Sequence, residues 1–533
     1  MISATGGRLS DAYDLREQAA NDYLNGSSLP SHPDNGDAGR YSDKRSSYIK
    51  GLQLRHGSPD LGLVDPNAWQ SLVDALESGA PSDFDNILTG GERELVSPQA
   101  GLRFEMEGLD PHQITVPAAP AFDSDRVGAE MGEVYWHALM RDYPFRQYGE
   151  LFSNGAPLPR DAAYDLSNNF SDYRGPTNNQ GDVTVDELFR GTSPGCLTGP
   201  YVSQLLWQPI PQGVISVPQL IDEPAQEDYN TDYSRWLDVI EGTAERGMEF
   251  PPRSGTSTSS NEVYIRNGRD IGEYVHLNYS FEPYLNAALI LYYGEEAPLD
   301  PNTPLTGQGT QSPYITFGGV GIFDLVTSAA TYVASAGWFQ KWLVHLRARP
   351  ETYAGRVHNH MEGNASYNIS SDLLDRSSVL PEISDHNDDR QFDTGPSSGS
   401  YLLPMAYSEG SPAHPAYPSG HAIIAGACTT VLKALFDESH TFSDPVQATA
   451  DGTSLESIST SLTVGGELNK LAENVSIGRN FAGVHYRSDG SEGMRAGEQV
   501  GKRLLEYVLR KTNEPAPSLT FEDFDGNTQT ISP

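Results

Sequence analysis

Three short stretches of this chain gather the residue types that hold an oxyanion. The first is AYPSGH, residues 416–421. Pro418 ends what precedes it, Ser419 is a good helix N-cap, and an apolar helical pattern starts at about His421. A helix N-terminus offers unpaired N–H groups and the positive end of the dipole, and both suit an anion. Gly420 lets the backbone come close to a ligand, Ser419 adds a hydroxyl and His421 a proton donor. Alone, the stretch reads equally well as a capped helix with a solvated histidine.

The second stretch is GRNFAGVHYRSDG, residues 478–490. A helix ends near Asn480 and another starts at Ser488 or Asp489, so Arg479 and His485 project from one tight corner. In the second of these helices Gly493, Gly497 and Gly501 recur four apart, a spacing that permits close helix packing. The third stretch is WFQKWLVHLRARPE, residues 338–351. On one continuous helix Lys341 and Arg349 differ by about 80° in facing and by about 12 Å along the axis. Both can then address a ligand held between them, near the helix end set by Pro350. His345 shares that face, with packing as its simpler role. Together the stretches supply a lysine, two arginines, a serine, a glycine amide and two histidines. A tetrahedral oxyanion calls for that set: fixed positive charge on its oxygens, one histidine at the central atom and one for proton transfer.

The elements that must position these groups are mainly helical. Residues 1–125 are loop-rich, with Pro, Gly, Ser and Asp clusters, and read as a segment wrapped over the rest. Helical spacing strengthens from 126, so 126–260 reads as a first helical region, with a polar loop at 254–260. Residues 261–515 carry the helices that hold the three stretches, at 317–349, 421–436, 465–480 and 489–511. Long polar loops are expected at 364–415 and 438–455. The tail, 516–533, alternates around Asp525-Gly526 as a small β-hairpin. The fold class is mainly α, one compact unit with long functional loops.

Composition narrows the partners. Asp plus Glu number 72 against 35 Lys plus Arg, a net charge of −37, and seven of the 35 bases are lysine. Such a surface repels nucleic acid and anionic lipid, so neither is expected as a partner. The N-terminus lacks a basic start followed by an apolar core, so the chain reads as soluble and, as written, cytoplasmic. The apolar stretch 317–339 carries Asp324, glycines and hydroxyls, and reads as a buried helix rather than a membrane span. Cys196 and Cys428 make no disulfide framework.

In this order the three stretches resemble the vanadium-dependent haloperoxidases and the related type-2 phosphatidic acid phosphatase superfamily. Seven residues separate Lys341 from Arg349, one more than is usual across that superfamily. That spacing is similar to the algal bromoperoxidase branch, as are SPAHPAYPSGHA at 411–422, NKLAENVSIGRNFAGVHYR at 469–487 and EVYWHALMRDYPFRQYG at 133–149. The resemblance implies two four-helix bundles, with vanadate in the C-terminal one. His485 would bind vanadium. Lys341, Arg349 and Arg479 would neutralise oxygens, with Ser419 and the Gly420 amide helping, and His421 would act as acid–base. His414 stands where bromoperoxidases carry a histidine, Trp338 would line the same pocket, and Asp270 would pair with an active-site base. The activity implied is oxidation of bromide, and of iodide, by hydrogen peroxide to a hypohalous acid equivalent that halogenates a small organic acceptor. Homodimers or larger homo-oligomers are implied too. The alternative use of the same residues is an acid phosphatase, with His485 as the nucleophile and His421 protonating the leaving group. His414 and the bromoperoxidase-like flanks weigh against it.

Outside these stretches, Asp385, Asn387 and Asp389 copy the start of a calcium loop, although Arg390 replaces the expected glycine and no glutamate closes it. A structural calcium ion is one expectation there, a solvated loop the other. His358 and His360 read as loop residues, and His137 as a satisfied core histidine.

Overall fold

The structure is a computed structural model that describes residues 8–25, 30–40, 54–58, 61–105, 110–149, 158–243, 261–306, 309–389, 399–514 and 518–533. The polar stretch 254–260 and Arg390 lie outside the described residues. The helices that matter for the site are α1 (Pro66–Ser78), α2 (Asp125–Met140), α3 (Gly268–Leu277), α4 (Gly319–Phe339), α5 (Pro350–Met361), α6 (Val379–Asp389), α7 (Gly420–Leu435), α8 (Val464–Phe481) and α9 (Arg487–Lys511). Strands among the described residues pair only two by two. The tail is the expected hairpin, β1 (Leu519–Glu522) against β2 (Thr528–Ile531), with Gly526 in the left-handed region at φ 82°. The turn is wider than a two-residue one, because Asp523 accepts the Asp525 and Asn527 amides.

α7 is the centre of the fold. It packs against α4, α8 and α9, and α8 packs on α3. Its run of Ala, Ile, Gly and Val is buried on nearly every side, which fits a helix that is apolar all round. Ser419 caps it, the hydroxyl accepting from the Ala422 amide, a contact of the kind worth about 1 kcal/mol. The approach of α9 is set by its glycines. A Cβ at Gly497 would lie 2.1 Å from the Ile423 carbonyl oxygen, and one at Gly426 would lie 2.0 Å from that of Met494. The expected close packing of the Gly493, Gly497 and Gly501 stripe is therefore present, although Gly493 has the looser fit.

α4 runs on into a wider turn at Gln340–His345, in which the Leu346 amide donates to the Lys341 carbonyl at 3.0 Å. By length and composition Gly319–Met361 could cross a bilayer. Here Ile322, Leu325, Val326, Ala329, Val333 and Ala336 of α4 are buried in the main core. From the first half of the chain, α2 packs against α5, α6 and α8. A smaller apolar cluster joins Trp69 and Leu72 of α1 to Trp342.

Three local expectations need correction. The loop foreseen at 364–415 contains a wide turn, Asp372–Arg376, and α6. Asp385 and Asn387 therefore lie on a helix rather than a calcium loop, about 200° apart in facing. Asn387 is buried and donates to the Ser400 and Leu402 carbonyls at 2.8 and 3.0 Å. Among the described residues no group of three His, Cys, Asp or Glu could hold a metal ion. His358 and His360 lie in α5, not in a loop. His137 is in the core as expected, but neither ring nitrogen has a hydrogen-bond partner; Phe189 and Phe481 pack on the ring, and burial pushes its pKa down to about 3.

Candidate active site

The three stretches meet at the N-terminal end of α7. Arg349 is not on the helix that carries Lys341. Leu346 adopts a left-handed conformation (φ 45°) after the wide turn, and the chain then runs without regular structure to Arg349, the N-cap position of α5. The helical-wheel geometry expected for this pair is thereby replaced by two separate approaches. Wide turns of this kind recur at functional sites because they re-aim side chains.

Each base is buried and tethered mainly by carbonyl oxygens. Lys341 Nζ donates to Pro415 O (2.8 Å) and Ala416 O (3.0 Å), and lies 5.8 Å from the Trp338 ring centroid. Arg349 donates to Val484 O (2.7 Å) and His414 O (3.0 Å). Its Nη1 lies 2.9 Å from His485 Nε2, and its Nη2 lies 3.0 Å from His414 Nδ1. Arg479 donates to Val275 O (2.9 Å) and the Tyr407 hydroxyl (3.3 Å), while its Nε is buried with no partner. Lys341, Arg349, Arg479 and His485 are all nearly inaccessible to solvent. Half-buried His421 has its Nε2 3.3 Å from Asn278 Oδ1, and the Asn278 Nδ2 is a second orphaned donor. Trp338 donates to Val96 O and tilts against His414, with ring centroids 5.1 Å apart.

The electrostatics follow from this burial. Lys341 is held well below the ordinary lysine range, by burial first and then by Arg349, and Arg349 is pulled down to about 9, again mostly by burial. His485 is held well below the ordinary imidazole value by burial, then Arg349, Lys341 and Arg479. His421 is lowered by burial, then Arg479, and His414 by burial, then Lys341. The imidazoles are therefore neutral near pH 7, in a site that holds an excess of buried positive charge.

Sequence reasoning placed the carboxylate wrongly. Asp270 does not reach a base of this cluster; its Oδ2 accepts from Arg266 Nε (3.1 Å) and from the Arg266 amide (3.0 Å). The carboxylate at the site is Asp489, whose Oδ2 lies 2.9 Å from His485 Nδ1 and accepts the Tyr486 amide at 3.0 Å. A carboxylate can only accept, so Nδ1 carries the proton and the Nε2 lone pair faces the cationic cluster. The i, i+4 spacing of His485 and Asp489 across a helix start was the available signal. His345 packs edge-on to Tyr417, with centroids 4.8 Å apart, and is a packing residue.

Comparison with known proteins supplies the family. The family model of the VCPO second helical-bundle domain matches residues 383–514. The vanadium-dependent bromoperoxidase of Ascophyllum nodosum is 32% identical over 540 residues, covering 97% of this chain and 90% of that protein. That of Corallina pilulifera is 32% identical over 592 residues, covering 94% of each. Among solved structures, the homohexameric second vanadate-dependent bromoperoxidase of Ascophyllum nodosum superposes with a TM-score of 0.88 at 29% identity, covering 99% of this chain and 90% of that one. With likeness of this degree along nearly its whole length, the chain belongs to the vanadium-dependent bromoperoxidases, an enzyme family whose cofactor is vanadate.

Proposed function

We propose that this cluster binds vanadate and that the protein uses hydrogen peroxide to oxidise bromide, and iodide, to a hypohalous acid equivalent that halogenates small organic acceptors. The observation that carries the reading is the charge of the site. Three buried bases, Lys341, Arg349 and Arg479, surround His485, and none of the three has a carboxylate partner among the described residues. The orphaned Arg479 Nε and Asn278 Nδ2 add donors with nothing to donate to. Buried charge and unpaired donors are costly unless an anion answers them, and a compact oxyanion answers both.

In this reading Lys341, Arg349 and Arg479 hold the oxyanion's oxygens, together with the Ser419 hydroxyl and the Gly420 amide, and His485 offers the Nε2 lone pair to the metal. Bound vanadate would supply a Lewis acid that activates peroxide toward halide without a change of metal oxidation state. His421, kept neutral by burial and by Arg479, accepts a proton from incoming peroxide and returns it later. His414 and Trp338, packed together beside Lys341, line the halide approach. Assembly into a homo-oligomer is supported by the homohexameric relative.

The test is bromination of a dione or phenol reporter by the apoprotein with peroxide and bromide, before and after orthovanadate, and again with excess phosphate. Activity that appears with vanadate and is suppressed by phosphate is expected. Absence of bromination, together with hydrolysis of an aryl phosphate that vanadate inhibits, would move the chain to the phosphatase side of the superfamily.

A further inference from the structure

A second, unbroken set of buried charges runs from His485 away from the cluster just described. Asp489, which accepts the hydrogen bond from His485 Nδ1, accepts from Arg347 Nη1 through its other oxygen at 2.7 Å. Arg347 Nη2 donates to Glu130 Oε2 at 2.9 Å. The Ser488 hydroxyl closes the group: it accepts from Arg347 Nη1 and donates to Glu130 Oε2, both at 2.8 Å. Glu130 Oε1 in turn accepts from Arg126 Nε at 3.3 Å, nearer the surface. Arg347, Glu130, Ser488 and Asp489 are all buried, and the Arg347 guanidinium lies flat over the Tyr486 ring, 4.1 Å from its centroid. None of the three motif stretches needs Glu130. It comes from α2, in the first half of the chain, 217 residues before Arg347.

We propose that Glu130 and Arg347 are positioning residues for the vanadium-binding histidine, acting through Asp489. The inference rests on the assignment of vanadate to His485 above. Its physical basis is geometric. Asp489 has one oxygen on Arg347 and the other on His485 and the Tyr486 amide, so Arg347 sets how the carboxylate is turned about that anchor. Arg347 is fixed in turn because its two Nη atoms are spread between Asp489 and Glu130. With Asp489 held, His485 keeps its proton on Nδ1 and its lone pair on Nε2, facing Arg349. If Glu130 loses its charge, Arg347 has one carboxylate left, and its fork can turn toward it. Asp489 then moves, and both the orientation of His485 and its basicity change. The hydrogen-bond partner directly behind a metal-ligating histidine, here Asp489, typically alters metal affinity by about 10–100-fold when removed, and Arg347 and Glu130 act through it with a smaller effect.

The experiment uses the full-length protein as isolated. The dissociation constant for orthovanadate is measured on the apoprotein by equilibrium ultrafiltration for wild type, Glu130→Gln and His485→Ala. Ring-nitrogen NMR of ¹⁵N-histidine-labelled apoprotein follows the tautomer, with the His485→Ala spectrum identifying the His485 signals. Glu130→Gln, further back than Asp489, is expected to weaken vanadate binding by up to about 10-fold and to move the His485 ring-nitrogen signals. A Glu130→Gln protein that melts at lower temperature but keeps both the wild-type dissociation constant and the wild-type His485 signals overturns the proposal, because the pair is then structural alone. Should Glu130→Gln fail to fold, Arg347→Lys carries the same two readouts, since it keeps the charge but loses the fork. Failure of the underlying site reading has a different signature: His485→Ala would bind vanadate as tightly as wild type.

Discussion

Arg347 and Arg349 stand two residues apart on one short irregular segment, both buried, and they face opposite electrostatic worlds. Arg347 looks toward α2 and lies between two carboxylates, Asp489 and Glu130, which together hold it above the ordinary guanidinium value despite its burial. Arg349 looks toward His414 and the Val484–His485 corner and finds carbonyls and imidazoles, and burial pulls it down to about 9. Regular strand alternation would put residues two apart on the same side; here the segment is irregular, running from left-handed Leu346 to Arg349 at the start of α5, and the two side chains diverge. One side of the segment is satisfied by the protein itself. The other is satisfied only when something negative arrives. His485 sits at the boundary, with Nδ1 on the satisfied side and Nε2 on the waiting one.

The comparison breaks first through stability. Arg347→Leu leaves Asp489 and Glu130 buried near one another without their shared cation, so a loss of about 3–5 kcal/mol is expected. Denaturant unfolding of the apoprotein measures it. Arg349→Gln should do the reverse: a far smaller change in unfolding free energy, but a fall in turnover of about 10²–10³, the loss typical of removing one donor to a reacting oxyanion. If Arg349→Gln destabilised the apoprotein as much as Arg347→Leu, the waiting side would not be waiting.

An added oxyanion sharpens the same contrast. Binding to the native state alone stabilises it by about 2.7 kcal/mol at a concentration 100 times the dissociation constant. Vanadate or phosphate should therefore raise the melting temperature of the wild-type apoprotein, and do so much less for Arg349→Gln. Equal shifts in both would place the anion elsewhere.

How much of this could be read from the sequence divides along the same line. Lys341, Arg349, Ser419, His421, Arg479 and His485 were legible because they sit in short stretches whose local chemistry is unusual: a glycine after an N-cap serine, an arginine and a histidine across one corner. What converges there in space was not derivable from spacing. The helical-wheel estimate for Lys341 and Arg349 failed because the left-handed Leu346 ends the helix between them. The carboxylates were hidden for a different reason. Ion pairs such as Arg347 with Glu130 join positions 217 apart, and no local pattern encodes a partner at that range. Asp270 looked suitable by type, yet Arg266, four residues before it, takes its carboxylate. The calcium-like run was read from Asp385, Asn387 and Asp389 at alternate positions, a spacing that a helix also accommodates, with Asn387 turned into the core. The mainly helical class was the easier inference, since apolar periodicity in α7, α8 and α9 extends over many turns.

Acid should weaken the apoprotein through its buried imidazoles. His137 and His345 are pushed down to about 3 and His56 to about 4, in each case chiefly by burial, and His414, His421 and His485 are lowered as well. Below about pH 6.5 the unfolded chain takes up protons that the folded chain refuses, so the unfolded state is favoured as pH falls. The melting temperature should decline from about pH 6.5 toward pH 4. Phosphate, by offsetting the positive charge around His414, His421 and His485, should make the decline shallower. A melting temperature independent of pH across this range would mean that folded and unfolded chains take up the same number of protons, with the raised carboxyls of Asp37, Asp270 and Glu438 offsetting the imidazoles.

The smallest effect expected is at Gly420. A Cβ there would meet the Trp338 ring at 3.3 and 3.5 Å and nothing else close by. The contact is tight but not prohibitive, and the half-buried Trp338 can give by a few tenths of an ångström. Gly420 opens α7, where alanine suits a helix better than glycine by up to about 1 kcal/mol, so Gly420→Ala should be close to neutral in stability. Its consequence should appear in chemistry instead. Trp338 packs on His414, and His414 touches Arg349, so a displaced indole alters the halide approach before it alters the anion's seat. Gly420→Ala is expected to raise KM for bromide a few-fold while the vanadate dissociation constant stays within about twofold, both small against the hydrogen-bond losses above. A large loss of vanadate affinity with bromide KM unchanged would mean that the Gly420 amide, and not the space beside it, is what the site requires of this residue.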